Sequence, residues 1–229
     1  PREGTAIFLC RHDGRLGRDS TRYARGLLGP DELSRYERTG HAGKKVQYLL
    51  SRALIKTVGS RLLGRPTAEI SLSGGVDGRP RIRGEAQAAI SISYSTGVVA
   101  AAFGMEGETG LDIEKIREAP LGVAKRYFSP AELAAITAAE DPAAVFYRLW
   151  TLKESFAKYT GAGIFKTLRW AWFDLSGPDG KARLIGEHGG GDIFFYSGMT
   201  GDGFMLALAS SKPDAPVLYR CEPEIFLPA

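Results

Sequence analysis

The segment FYRLWTLKESFAKYTGAGI, Phe146 to Ile164, constrains the fold more than any other stretch of the chain. Val145, Leu149, Leu152 and Phe156 recur at spacings of four, three and four, the stripe by which a helix buries one face against a core. Tyr147, Thr151, Glu154 and Lys158 repeat the pattern on another face. Residues one turn apart are neighbours on a helix surface, so Glu154 and Lys158 are placed to point into one site. Thr160, Gly161 and Gly163 supply the stop. A Glu-to-Lys pair of this kind also occurs on plain exposed helices, where it contributes about 0.2–0.5 kcal/mol. The rest of the chain decides between the two readings.

With 229 residues, 44% of them hydrophobic, the chain is long enough for one large domain or two small ones with proper cores, and it is not of disordered composition. Thirty Lys and Arg against 26 Asp and Glu give a net charge of +4, a modest excess that suits an anionic partner without singling out nucleic acid. A highly phosphorylated cofactor or an acidic protein fits equally. Cys10 and Cys221 lie near opposite ends and outside any metal-ligand spacing, so they read as structural thiols in a reducing compartment. No apolar run reaches the roughly 18–20 residues of a membrane span. The opening PREGTAIFLC lacks signal-peptide architecture, and a cytoplasmic protein is expected. His12, His41 and His188 are scattered, which argues against a histidine metal site or a hidden triad.

Taken in order, Thr5 to Cys10 reads as a strand and HDGRLGRD as a polar loop. Pro30 followed by Asp31 and Glu32 opens a helix. A second helix is expected from about Ala42 to Leu63, with Arg35, Arg38, Lys44, Lys45, Arg52, Lys56 and Arg61 forming either a cationic rim or a solvated face. VDGRPRI contains a turn at Gly78 and Pro80, and AAISISYS with VVAAAF reads as a hairpin. A third strand, Thr109 to Glu114, puts Asp112 and Glu114 on one face and Leu111 and Ile113 on the other. Ser129-Pro130-Ala131-Glu132 has the N-cap, first-turn proline and acidic third position of a helix start, and Asp141-Pro142 restarts the chain before the central helix. The remainder is strand-rich: Trp170 to Leu175, Lys181 to Ile185, Asp192 to Tyr196 and Phe204 to Ser210, with an extended tail from Val217. The expected fold class is α+β, in two lobes covering residues 1–104 and 105–229.

Two carboxylates side by side on a strand repel, an arrangement easiest to sustain around a cation. Asp112, Glu114 and Glu154 offer only oxygen, which selects a hard cation such as Mg²⁺, and Lys158 is suited to neutralise a phosphate beside it. The outline is that of phosphate chemistry.

GLDIEKI at 110–116 and LWTLKESFAKYTGAGI at 149–164 closely resemble the two signature motifs of the 4′-phosphopantetheinyl transferases, of the two-lobed type that includes the surfactin-synthetase activator. AKRYFSPAEL at 124–133, GRPRI at 78–82 and the ISxS element at 92–95 are similar to that family as well. The resemblance implies two similar α+β lobes with a pseudo-two-fold relation. It also implies transfer of the phosphopantetheine arm of coenzyme A to a serine of an acyl or peptidyl carrier protein, releasing adenosine 3′,5′-bisphosphate. By that resemblance Asp112, Glu114 and Glu154 hold Mg²⁺, Glu154 or a metal-bound water takes the serine proton, and Lys158 contacts the phosphates. Arg79 matches a residue near the nucleotide's 3′-phosphate, and Ser93 matches a phosphate-contacting serine. Lys153, ahead of the motif glutamate, matches a family lysine, with a structural role on the Trp150 face as the alternative. The chain departs from the family where Tyr94 replaces histidine, where Ser91 replaces asparagine, and at Gln47, where arginine is usual. Tyr94 therefore stands in the cofactor pocket with less positive charge than the family carries there. The resemblance further implies a monomer, with no nucleic acid or membrane partner. A catalytically impaired relative that binds carrier protein or nucleotide is the alternative reading, and a metal-dependent phosphodiesterase is a third. The latter lacks a basic and aromatic tract.

Overall fold

The computed structural model describes residues 4–74, 79–85, 88–105, 107–168, 170–177, 181–185 and 192–227. Strand β1 (Thr5–Arg11) leads through a loop into α1 (Arg18–Gly26), a helix that the apolar pattern does not show. The reason is that α1 buries only Ser20 and Ala24, so its helical cues are Asp19 in the first turn and Arg25 in the last. Helix α2 (Pro30–Arg38) begins at the expected proline, and α3 (Ala42–Leu63) has the expected bounds. It ends at Gly64, whose φ of 64° is a left-handed cap. The cationic rim expected along these helices is only partly a rim. Arg52 and Lys56 are buried and meet the carboxylate of Glu32 at 3.1 and 2.8 Å.

Strands β2 (Leu72–Gly74) and β3 (Pro80–Ile82) follow. Pro80, expected in a turn, is the first residue of a strand, a position that tolerates its missing N–H; Gly78 lies outside the described residues. The hairpin is β4 (Ala89–Ser95) and β5 (Val98–Gly104), joined through Thr96 and Gly97, with Gly97 at φ 73°. The remaining elements are β6 (Thr109–Lys115), α4 (Leu121–Tyr127), α5 (Pro130–Ala138), α6 (Pro142–Thr160), α7 (Ile164–Thr167), β7 (Trp172–Asp174), β8 (Lys181–Ile185), β9 (Phe194–Met199), β10 (Phe204–Ser210) and β11 (Val217–Cys221). The start of α5 is capped as its sequence indicates: Ser129 Oγ accepts from Glu132 N at 3.2 Å, and Glu132 Oε2 accepts from Ser129 N at 2.8 Å. None of the described helices is long and apolar enough to cross a membrane.

The fold is α+β, with two sheets ordered β11-β1-β5-β4-β3-β2 and β6-β10-β9-β8-β7. A boundary near Gly104 separates these sheets except at the tail. Strand β11 crosses back and runs parallel to β1, pairing Cys221 with Cys10, so the two cysteines at opposite ends of the sequence meet in space.

Among the described residues, three apolar clusters form the core. One packs α3 against the first sheet through Leu50, Leu54 and Val99, and a second packs α6 against the second sheet through Phe146, Leu152, Phe156 and Phe195. The third joins the sheets: Ile7, Leu9 and Ala100 from the first meet Leu111, Ile113 and Leu208 from the second. Beside it, alternate serines of β4 fasten β6. Ser91, Ser93 and Ser95 accept from the backbone N–H of Leu111, Ile113 and Lys115 at 2.8, 3.3 and 2.9 Å. Side-chain hydroxyls thus occupy the place of a backbone ladder, and the period of two in ISxS is what lines them up.

Candidate functional site

Because Leu111 and Ile113 enter the core between the sheets, Asp112 and Glu114 face the other way, toward α6. The approach of α6 to β6 is set at Gly110. A Cβ there would stand 2.0 Å from Ser155 O and 2.5 Å from Tyr159 N, so only glycine lets the helix come this close. At that distance Lys158 spans the gap: its Nζ lies 2.8 Å from Asp112 Oδ1, 3.0 Å from Ser93 Oγ and 2.9 Å from Leu111 O. Ser93 in turn donates to Asp112 Oδ1 at 2.7 Å. Asp112 is buried, and its second oxygen, Oδ2, has no hydrogen-bond partner among the described residues.

The other two acids stand in the same field. Burial and the neighbouring Asp112 carboxylate raise Glu154 to about 7, with Lys158 pulling the other way and Glu114 adding a smaller push. Burial, then Asp112, also raises Glu114, whose Oε2 accepts from Ser95 Oγ at 3.3 Å. Among the described residues, no three His, Cys, Asp or Glu side chains form a ready-made metal cluster. Yet a buried carboxylate oxygen without a partner, flanked by two acids whose charged forms are disfavoured, is the environment that a hard cation would relieve.

Glu154 and Lys158 open onto a cavity of about 580 Å³ that is also lined by Arg35, Arg52, Arg79 and Arg83, with Asp31 and Glu32 among them. Beside it lies a second cavity of about 580 Å³, where Glu114 sits with Lys44, Gln47, Arg117 and Tyr147. Tyr94, 39% exposed, lines both cavities, as do Arg35 and Tyr48. A larger groove of about 1020 Å³ adjoins the second cavity through Thr96, Lys115 and Arg117; Asp13, Asp202, Glu222 and Glu224 line it, while Asp112, Glu114 and Glu154 do not.

The structure assigns the remaining sequence candidates unevenly. Arg79 lines the arginine-rich cavity, but it is braced by Glu108 Oε2 at 2.7 Å and donates to Tyr159 O at the end of α6. Arg81 holds the other oxygen of Glu108 at 2.7 Å. Ser93 is 4% exposed and its hydroxyl is engaged with Asp112, Lys158 and Ile113 N, so it orients the acid and the lysine rather than lining the cavity. The Tyr94 hydroxyl donates to Ser51 Oγ at 2.9 Å, and Gln47 Nε2 donates to Ser95 O at 3.0 Å. Lys153 is fully buried against Glu132, the structural alternative of the two readings.

Sequence reasoning overlooked Gly110 and the fastening role of Ser91 and Ser95. The period-two serines were the available signal for the second; the first had none, since close approach is a property of two packed elements.

Residues 108–209 match the family model described as the 4′-phosphopantetheinyl transferase superfamily, and that span holds Asp112, Glu114, Glu154 and Lys158. The chain belongs to this superfamily. It is 27% identical over 212 residues to the 4′-phosphopantetheinyl transferase Sfp of Bacillus subtilis (strain 168), covering 92% of this chain and 94% of that protein. It is 33% identical over 138 residues to the 4′-phosphopantetheinyl transferase psf-1 of Bacillus pumilus, covering 59% and 58% of the two chains. A third relative is the L-aminoadipate-semialdehyde dehydrogenase-phosphopantetheinyl transferase of Eremothecium gossypii, 28% identical over 240 residues, with 96% and 84% covered. The similarity to Sfp thus extends beyond the matched span into the first sheet, so the arginine-lined cavity lies within the region shared with Sfp.

Proposed function

We propose that the chain transfers the 4′-phosphopantetheine group of coenzyme A to a serine of an acyl or peptidyl carrier protein. The observation that carries this is the meeting of Lys158 with Asp112, beside Glu154, at the wall of a cavity lined by four arginines. Arginine guanidinium groups bind phosphate oxygens through fixed forks of donors, and coenzyme A carries a diphosphate and a 3′-phosphate. Asp112 through Oδ2, Glu114 and Glu154 are the residues suited to hold Mg²⁺, which when bound neutralises charge on the diphosphate.

The serine oxygen forms a bond to phosphorus as the phosphoanhydride bond breaks, and adenosine 3′,5′-bisphosphate leaves. No covalent enzyme intermediate is required, so the chain's task is positioning and charge stabilisation. Glu154, which lines the cavity beside Lys158, is the carboxylate placed to accept the serine proton. Lys158 places its ammonium where phosphate charge shifts to the leaving group.

Mass spectrometry of an apo carrier protein incubated with the chain, coenzyme A and Mg²⁺ tests the proposal. A mass gain of one phosphopantetheine group on the carrier's serine is the expected result. No gain, with coenzyme A binding retained in calorimetry, would instead favour a relative that only binds.

A further inference from the structure

We propose that Glu132 and Lys153 are positioning residues: their buried ion pair fixes the rotation of α6 and thereby where Glu154 and Lys158 stand. The inference rests on the transfer function proposed above and adds two residues that lie outside both cavities.

Lys153 is 0% exposed, with its Nζ 2.9 Å from Glu132 Oε1 and donating also to Ala171 O. The rings of Phe128 and Phe173 lie 5.0 and 5.9 Å from the ammonium. Glu132 Oε1 additionally accepts from Phe173 N at 3.0 Å, while Oε2 accepts from Ser129 N at 2.8 Å. One carboxylate and one ammonium therefore join the first turn of α5, the middle of α6 and strand β7 at a single point.

Energy alone does not explain the pair. Taking two charges out of water is expensive, and apolar residues of similar volume often leave a core as stable or more so. The surrounding cluster is built from Phe128, Phe146, Leu149, Leu152 and Phe173, which would receive such residues readily. What an apolar pair lacks is direction. Consecutive side chains leave a helix about 100° apart, given 3.6 residues per turn. Holding Lys153 against Glu132 and Ala171 O thus points Glu154, the next residue, toward the acids of β6 on the neighbouring face. With the pair replaced, α6 keeps polar ties through Arg148 to Ser197 and, near its C-terminal end, through Lys158 and Tyr159 O, while the turn that carries Glu154 loses the contact that orients it.

The test replaces the pair by apolar groups, Glu132→Leu with Lys153→Met, alongside the single Lys153→Met and the conservative Lys153→Arg. Melting temperature, kcat, both Michaelis constants, and Mn²⁺ binding followed by electron paramagnetic resonance without substrates are measured. For residues that orient metal ligands, losses of about 10–100-fold in affinity or activity are typical. The double variant is expected to melt lower than the parent, because Glu132→Leu also leaves the N–H groups of Ser129 and Phe173 without their acceptor; at temperatures where it is folded, kcat falls by about tenfold or more and Mn²⁺ binding weakens by a similar factor. The Michaelis constant for coenzyme A should rise less than kcat falls, because Arg35, Arg52, Arg79 and Arg83 lie outside α6 and only Lys158 moves with it. Lys153→Arg should recover part of the kcat. A double variant with parental melting, parental kcat and parental Mn²⁺ affinity overturns the proposal, as does a kcat loss that merely follows melting temperature across the three variants. Should the parent fail to modify any carrier, the functional reading falls, and the Mn²⁺ measurement still decides the role of the pair.

Discussion

Lys158 from α6 holds one oxygen of Asp112 at 2.8 Å, while the other oxygen of that carboxylate is buried without a partner among the described residues. This pairing changes what removal of the acid should do. Repulsion between acids on one strand predicts that Asp112→Ala stabilises the metal-free protein, because neighbouring carboxylates lose a like charge. Removal also takes the carboxylate partner from Lys158, which keeps Leu111 O and Ser93 Oγ, and leaves the Ser93 hydroxyl without its acceptor. The second effect is the larger, at about 1–3 kcal/mol. Asp112→Ala is expected to stay folded, to melt lower than the parent and to lose nearly all turnover. Circular dichroism melts and the carrier-modification assay check this, and near-normal turnover would exclude Asp112 from the site.

Glu154 gives the metal-free protein a defined pH dependence. Its folded value of about 7 stands above the ordinary value of 4.5, so the folded state keeps the proton where the unfolded state releases it. Below about 4.5 the group is protonated in both states and contributes nothing; stability falls as pH rises from there toward 7, and the full penalty persists above. With partial exposure taken into account, that penalty is on the order of 1–3 kcal/mol. In the presence of chelator, Glu154→Gln should therefore raise the melting temperature at pH 8 and change it little at pH 4.5. An equal change at both values would show that the environment does not disfavour the charged carboxylate.

Gly110→Ala tests the spacing between β6 and α6. The new Cβ would meet backbone atoms Ser155 O and Tyr159 N, which have no flexible end to move aside. The helix must shift, taking Glu154 and Lys158 with it. A loss of about 1–3 kcal/mol is expected from the overpacking, together with a fall in kcat at temperatures where the variant is still folded. Parental kcat in a folded Gly110→Ala protein would show that the site tolerates a displaced helix.

Lys125 and Arg126 are exposed on α4, ahead of the α5 cap, while Phe128 beside them is in the core and stacks on Phe146 at 5.3 Å. If this surface meets an acidic carrier protein, changing both to glutamate should raise the Michaelis constant for the carrier by about tenfold, in line with the loss of two charge contacts. The constant for coenzyme A should stay the same. Equal effects on both substrates would reject the surface.

Tyr94 lines both cavities and spends its hydroxyl on Ser51. Tyr94→Phe is accordingly expected to cost about 0.5–1.5 kcal/mol of stability and to change coenzyme A binding little. Tyr94→His introduces a group with a reference pKa near 6.5, so coenzyme A should bind more tightly at pH 6 than at pH 8, relative to the parent. Calorimetry that gives identical pH profiles for parent and Tyr94→His would show that the position does not face the phosphates.

Local regularities determined much of this protein without reference to tertiary contacts. The 3.6-residue period of Val145, Leu149, Leu152 and Phe156 and the proline and glycine at either end made α6 legible, because a helix writes its own geometry into sequence spacing. The period of two did the same for Asp112 and Glu114 on β6, and the capping residues Ser129 and Glu132 marked the start of α5. Matching of motifs then tied strand and helix to one family.

Tertiary structure alone decided what depends on packing distant elements together. Helix α1 has no apolar stripe to read, so its docking on α3 appears only in the fold. Arg52 and Lys56 look like surface cations until Glu32 from a different helix reaches them, and Cys10 and Cys221 look unrelated until β11 returns to β1. The partners of Lys158 came from β4 and β6, and its distance from them was set by a missing Cβ at Gly110. Spacing along a chain states which face a side chain occupies. How closely two faces approach is a matter of the volumes between them, and these are contributed by residues far away in sequence.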